Sequence, residues 1–319
     1  MPNVAAVAML DDAPRAADLT VYPVGGPPLP IGKRLVLPGR GTTFVRQVEG
    51  PAGAPTLLLL HGWMASGGLN WFRVFDTLGE HFNVVAVDMR GHGRGIRNSR
   101  RFRLADCADD AAATLDALGV GPVIAVGYSL GGPVAQLLWR RHPDKVEGLV
   151  LCSTAHRLMP GVREQWIFAT MMAVAAGSTR LGQIATKVPV KRVQRLLPVA
   201  SAQRPSSIRA WARAEMGRHS ARMVMEAGVA MSNYRAKWID KIDVPTSVLI
   251  TTKDRAIPRL AQADMALSIP GASIHSVEDG HLLCAKPAFA PPLLDACLDV
   301  AHRIRPTPSR NPTQTSTDL

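Results

Sequence analysis

The sequence predicts an α/β protein built on a mostly parallel central sheet with helices on both faces, interrupted by a helical insertion. Three observations carry that expectation. Short apolar runs of strand length, among them residues 56–60, 83–87 and 122–126, alternate with longer helix-compatible stretches, the pattern of strands buried on both faces. The alternation lapses over residues 157–240, which read as helical pieces without a convincing strand, and resumes at residue 246. Between the run 122–126 and the helix-like segment 132–140 stands Gly127-Tyr128-Ser129-Leu130-Gly131, a serine at a sharp strand-to-helix turn.

The organisation follows in chain order. Residues 1–30 are rich in Ala, Asp, Gly and Pro and read as a flexible arm. The first part of the core spans 31–156. It opens with a hairpin, strands at 34–37 and 42–46 split by Pro38-Gly39-Arg40-Gly41. Strand 56–60 ends in His61-Gly62-Trp63 before a helix over 69–78, and strand 83–87 ends in Asp88-Met89-Arg90-Gly91-His92-Gly93 before an amphipathic helix over 104–118. After the serine turn comes strand 146–152. The insertion, 157–240, is expected to form a helical cap, and the second part of the core, 241–304, to hold strands at 246–252 and 273–277, a helix over 259–268 and a last helix from residue 281 to 304. Residues 305–319, rich in Pro, Ser and Thr, read as a disordered tail.

Composition narrows the function classes. With 319 residues, 47% of them apolar, the chain folds without staples. Cys107, Cys152, Cys284 and Cys297 form no Cys-x-x-Cys pair and no zinc-ligand spacing, so free thiols in a reducing compartment are expected, and no metal site. The apolar run at 4–10 lacks the basic start of a secretory leader, and every apolar run is cut by charge, Gly or Pro before it reaches membrane-spanning length. A cytoplasmic location is expected. The net charge of +12 prompts a test for nucleic-acid binding, but aromatics are only 5% of residues, with no zinc-finger spacing, aromatic RNA-binding signature or basic heptad. Nucleic acid is not an expected partner. Gly91-His92-Gly93-Arg94-Gly95 leads into an Arg-rich loop rather than a helix, so it is no dinucleotide fingerprint.

A serine hydroxyl needs a base to take its proton and a group to orient that base. In an α/β sheet the reacting groups lie beyond the carboxyl ends of the strands. Asp254 stands just past one such end and His281 just past another, in the chain order Ser129, Asp254, His281 that a serine hydrolase of this kind requires. Each has a bland alternative: Asp254 as a turn or helix cap near Pro258, His281 as the start of the last helix. Asp88 and Asp279 are the rival acids. His61, His92 and His156 share the strand-end position, whereas His81, His219 and His302 read as surface residues. The oxyanion that forms on an attacked carbonyl needs backbone donors. Leu130, after the serine, and Trp63, after His61-Gly62, are placed to supply them, and His61 itself is expected to make a structural hydrogen bond.

The strings His61-Gly62-Trp63, Asp88 to Gly93, Gly127 to Gly132, Lys253-Asp254 with Ile257-Pro258, and Gly280-His281, all in order, resemble the α/β-hydrolase superfamily. The resemblance covers residues 56–156 and 246–303 and implies the α/β-hydrolase fold, a serine triad and no cofactor. It implies a small acyl ester substrate, with an esterase or lipase as the default. Acyl transfer, thioester cleavage, perhydrolysis with the same triad, or a non-catalytic ligand-binding role remain alternatives. The cap shows no match that names a substrate. It holds eleven Arg and three Lys against four acids, a net +10 of the chain's +12, and seven of the twelve methionines. Tyr128, Trp63, Met171 and Met172 are expected to line the substrate space, thioethers suiting an adaptable apolar pocket. The basic cap is read either as a lid that meets lipid-like substrate at an anionic surface or as an ordinary solvated face.

Overall fold

The computed structural model describes residues 26–158, 161–185 and 207–304. The expected tail at 305–319 and most of the expected arm lie outside these residues. The arm's last residues are described, and Leu29 is buried against the core while Pro30 O accepts from Arg46.

Eight strands form one sheet: β1 (Gly32–Leu37), β2 (Gly41–Val48), β3 (Thr56–Leu60), β4 (Asn83–Asp88), β5 (Val123–Tyr128), β6 (Val146–Cys152), β7 (Thr246–Thr251) and β8 (Ser273–Val277), in the order β1-β2-β4-β3-β5-β6-β7-β8. The β1–β2 hairpin is antiparallel, β2 joins β4 antiparallel, and every pairing from β4 to β8 is parallel. The order turns at β3: the chain goes from β3 to β4 on one side and then to β5 on the other. A crevice therefore opens between the loops that leave β3 and β5, the place where such sheets bind ligands.

Period-two alternation splits the core into two layers. Leu58, Leu60, Val123, Ala125, Leu149 and Leu151 face α3 (Leu104–Leu118), α4 (Gly131–Arg141) and α8 (Arg259–Ser268). Leu57, Leu59, Ile124, Val126, Val150 and Cys152 face α1 (Gly67–Trp71), α2 (Phe75–Gly79) and α9 (Ala290–Ile304). Both faces are apolar because both are covered. The segment after β6 holds α5 (Val162–Ala185), α6 (Ile208–Met216) and α7 (Ala221–Ser232), and no strand lies among its described residues.

Two helix boundaries differ from the sequence expectation. The helix expected over 69–78 is two short ones, the first starting earlier because the Ser66 hydroxyl accepts from Leu69 N as its cap. The last helix begins at Ala290 rather than at His281. Pro287 cannot donate to a helical ladder and holds Lys286 extended, so two single 3₁₀ turns, Leu283–Ala285 and Pro287–Phe289, precede α9. Among the described residues no helix is long and apolar enough to cross a membrane.

Candidate active site

At the end of β5 the backbone of Ser129 takes φ 51°, a left-handed conformation that a residue with a side chain adopts only under constraint. Bonds from every side hold it there. Ser129 N donates to Cys152 O at 3.0 Å, while Ser129 O accepts from Gly132 N at 2.9 Å and from the Thr154 hydroxyl at 2.8 Å. The flanking glycines are a steric requirement. A β-carbon at 127 would strike Gly131 O, and one at 131 would strike Leu60 O. The serine is 4% exposed, at the N-terminus of the eleven-residue α4.

His281 sits in the loop after β8. Its Nδ1 lies 2.8 Å from Asp254 Oδ2 and its Nε2 lies 3.0 Å from Ser129 Oγ. A carboxylate only accepts, so Nδ1 carries the hydrogen and Nε2 is left to accept from the serine hydroxyl. The loop is held from below by Tyr128, whose hydroxyl donates to His281 O at 2.7 Å.

The two carboxylate oxygens of Asp254 have different partners. Its Oδ1 accepts from Ala256 N at 2.8 Å and Ile257 N at 2.9 Å, closing a turn, while Oδ2 faces His281 and accepts from the Thr251 hydroxyl at 2.8 Å. Burial alone would raise this carboxyl. The hydrogen bonds from His281, Ile257 N and Thr251 outweigh it and hold the group below the usual aspartate range. Gln262, fully buried, props the arrangement: its amide oxygen accepts from Thr251 N at 3.1 Å and its amino group donates to Ile257 O at 2.7 Å.

The loop after β3 closes the other side of the crevice. His61 is completely buried, donates from Nδ1 to Gly62 O at 2.8 Å, and accepts from Met89 N at 3.0 Å. Burial first, then the neighbouring His92, push its pKa well down, so it is neutral. Gly62 N donates to Asn70 Oδ1 at 2.9 Å, and a β-carbon on Gly62 would stand 3.5 Å from Ser129 Cβ, which brings the loop directly against the serine. Among the described residues neither the Trp63 nor the Leu130 amide donates to a protein acceptor. The Trp63 indole is tied to α7 and α5, donating to Val224 O at 2.8 Å and meeting the Phe168 ring edge-on at 5.8 Å.

The residues expected to line the substrate space separate. Tyr128 is 2% exposed, its ring enclosed by Trp71 and Phe289, so it faces the core and positions the His281 loop. Met172 packs on α7 at Gly228, beside Trp63. Met171 is 53% exposed on the other side of α5, in a shallow groove of about 650 Å³ with Trp166, Ile167 and Val174. The rival acids have other duties. Asp88 accepts from Gly67 N and Arg94 N, both at 2.7 Å, and burial raises its pKa. Asp279 accepts from Gly280 N and Lys286, both at 2.6 Å. His219, read as a surface residue, is half-buried. Its Nδ1 accepts from Gly93 N at 2.8 Å and its Nε2 donates to Met64 O at 3.0 Å, joining the α6–α7 corner to the loops after β3 and β4. Thr251, Gln262 and Asn70 were not singled out in the sequence; Thr251 ends β7, while Gln262 and Asn70 are buried polar residues on α8 and α1.

Residues 55–210 match the family model for the alpha/beta hydrolase fold. The chain is 27% identical to the magnesium-chelatase 30 kDa subunit of Rhodobacter capsulatus, over 73% of this chain and 83% of that protein. It is 38% identical to a pimeloyl-[acyl-carrier protein] methyl ester esterase of Chromobacterium violaceum, over 35% of this chain and 42% of that one. The crystal structure of an enol-lactonase from Burkholderia xenovorans LB400 superimposes with a TM-score of 0.67 at 22% identity, covering 85% of this chain and all of that chain.

Proposed function

Given that the chain belongs to the α/β-hydrolase superfamily and is a hydrolase, we propose that it cleaves a carboxylic ester with Ser129 as nucleophile, His281 as base and Asp254 as the orienting acid. One observation carries this reading: a single imidazole lies within hydrogen-bond reach of Ser129 Oγ and of the Asp254 carboxylate, at 3.0 and 2.8 Å.

The steps follow from which atoms can accept. Ser129 Oγ attacks the ester carbonyl as its proton passes to His281 Nε2, and the Asp254 carboxylate stabilises the imidazolium through Nδ1–H. The oxyanion falls to the Leu130 and Trp63 amides, the first of them at the positive end of α4. Collapse breaks the bond to the alkoxy oxygen, which leaves as the alcohol with the proton from Nε2. Water then gives a proton to Nε2 and attacks the acyl-enzyme, and the second collapse returns that proton to Ser129 Oγ and releases the acid. The described helices of the segment after β6, α5, α6 and α7, are read as a cap over this site, with Trp63 and Met172 where α5 and α7 meet the loop after β3. Water is the acyl acceptor in this reading, because it demands the least additional apparatus.

The match to a methyl ester esterase, confined to about a third of the chain, favours an ester. The longer match is to a chelatase subunit, which favours keeping a second reading, a protein of this fold that binds without turnover. Treatment with a fluorophosphonate followed by peptide mass analysis separates the two. Labelling confined to Ser129 together with turnover of p-nitrophenyl esters supports the esterase. Folded protein that neither labels nor turns over any ester, thioester or acyl-transfer pair refutes it.

A further inference from the structure

Trp63 can present its amide to an oxyanion only if the loop after β3 is held still, and that loop carries strain. Met64, the next residue, takes φ 57°, a left-handed conformation that persists only where the surroundings enforce it. Two restraints reach the loop from the segment after β6. Met64 O accepts from His219 at 3.0 Å, and the Trp63 indole donates to Val224 O at 2.8 Å.

The indole has a seat built from two residues on each of two helices. Phe168 and Met172 stand four apart on α5, and Val224 and Gly228 stand four apart on α7, so each pair shares one face of its helix. Phe168 meets the indole edge-on. A β-carbon at 228 would stand 2.9 Å from Met172 Cγ, 3.1 Å from its sulfur and 3.4 Å from Trp63 Cζ2, so Gly228 occupies the point where thioether and indole converge. A glycine inside a twelve-residue helix weakens it relative to alanine, and Gly228 takes no positive φ that would call for one. Space is the remaining reason. In a regular helix the amide of residue 228 donates to the carbonyl of residue 224, the same oxygen that accepts from the indole. A carbonyl oxygen has two lone pairs and can serve both. Side chains on a helix lean back over the preceding turn, so any side chain at 228 would lean over Val224 O and obstruct the indole.

We propose, resting on the esterase reading above, that Gly228 is a positioning residue for ester cleavage: by leaving the Val224 carbonyl open to the Trp63 indole, it fixes the amide that receives the oxyanion. Gly228 acts through Trp63 and touches no reacting atom. Its effect falls on the transition state, where the oxyanion exists, rather than on the bound ester. Perturbing it should therefore lower kcat and spare KM.

A graded series tests this with a p-nitrophenyl ester. Gly228→Ala adds one methyl group, to which the flexible Met172 side chain can yield, and kcat is expected to fall about threefold. Gly228→Leu introduces a good helix former whose side chain covers Val224 O, and kcat is expected to fall about thirtyfold, less than outright loss of an oxyanion donor. In both, KM stays within about twofold of the parent value. Trp63→Phe keeps the backbone amide but deletes the indole donor, and its expected loss of about tenfold in kcat decides the matter should the leucine variant not fold. A trifluoromethyl ketone analogue of the ester forms a tetrahedral oxyanion adduct on a catalytic serine, so its inhibition constant should weaken in step with kcat, which loss of packing alone would not produce. Gly177→Leu is the control expected to leave kcat unchanged, because a β-carbon there meets no other element among the described residues within 4 Å. Solvent exchange of the indole N–H, identified in proton spectra by its loss in Trp63→Phe, reads the seat without turnover and should quicken about tenfold in Gly228→Leu. Parent-like kcat, inhibition constant and exchange in Gly228→Leu, or parent-like kcat in Trp63→Phe, overturns this proposal and leaves the esterase reading standing. So does an equal loss in Gly177→Leu, or a rise in KM in place of the fall in kcat. A folded parent that neither labels at Ser129 nor turns over ester overturns the esterase reading and this proposal with it.

Discussion

Replacement of Asp254 by asparagine isolates one atom's contribution to the proposed mechanism. An asparagine has one carbonyl oxygen and one amino group. The Ala256 and Ile257 amides, at 2.8 and 2.9 Å, require an acceptor where Oδ1 now stands. The amino group must therefore replace Oδ2, facing His281 Nδ1 and the Thr251 hydroxyl. The hydroxyl can adapt by accepting instead of donating. Nδ1 cannot keep its hydrogen opposite another donor, so the imidazole shifts to the tautomer that carries its hydrogen on Nε2. That is the nitrogen which must take the proton from Ser129. The expected loss is about 10⁴-fold in kcat/KM, the scale seen when a triad carboxylate becomes an amide, or ~5 kcal/mol of transition-state stabilisation. Stability should barely change, because the turn at Ala256 and Ile257 survives. Asp254→Ala removes that turn as well and should lose about 1–2 kcal/mol of folding stability in addition. Steady-state hydrolysis of a p-nitrophenyl ester and thermal unfolding are measured on both variants. An asparagine variant that keeps more than about a tenth of the parent kcat/KM refutes the tautomer argument. One that unfolds as readily as the alanine variant refutes the assignment of Oδ1 to the turn.

Three further outcomes are expected. Tyr128→Phe deletes the hydroxyl beneath His281 O, and kcat should fall about tenfold with KM nearly unchanged and about 1 kcal/mol of stability lost; an unchanged kcat would mean that the loop is held by other contacts. Ser129→Gly should unfold at a higher temperature than Ser129→Ala, by an amount equivalent to about 1 kcal/mol, because only glycine relieves the positive φ; equal melting temperatures would remove strain from the account. Glu215 supplies the pH test: burial pushes its carboxyl up, but Arg94 and Arg218 outweigh that and hold it below the usual glutamate range. A carboxyl depressed in the folded state contributes stability that is present above its unfolded pKa of about 4.3 and is lost as pH falls through the folded value. Glu215→Gln should therefore lower the melting temperature at pH 7 and flatten its decline below about pH 4, read from melting curves at stepped pH; parallel curves for the two proteins would contradict the pairing.

The strands were legible in the sequence because a sheet covered on both faces demands unbroken apolar runs, and those runs also mark the strand ends where Ser129, Asp254 and His281 stand. The Gly-x-Ser-x-Gly spacing was legible for a related reason: only glycine tolerates the approach of Leu60 O to residue 131. What sequence reading missed depends on directions that spacing does not encode. Met171 and Met172 are neighbours in the chain but point to different sides of α5, since one helical residue turns the side chain by about 100°. Tyr128 adjoins the serine, yet strand alternation turns its ring down into the layer of Trp71 and Phe289. His219 lies in a polar stretch that suggests solvent, and only the fold brings it to Met64 and Gly93. The delay of the last helix to Ala290 was foreseeable from Pro287, which a helix running from His281 would have had to hold in its interior.

Trp63 contributes its backbone to one domain of the problem and its side chain to another. The amide proposed to receive the oxyanion and the indole that bonds Val224 O belong to the same residue, and the next carbonyl, Met64 O, is held by His219. Any motion that lifts α7 away from the core thus pulls on the donor that the transition state needs. A substrate that had to pry this corner loose would reach a disarmed crevice.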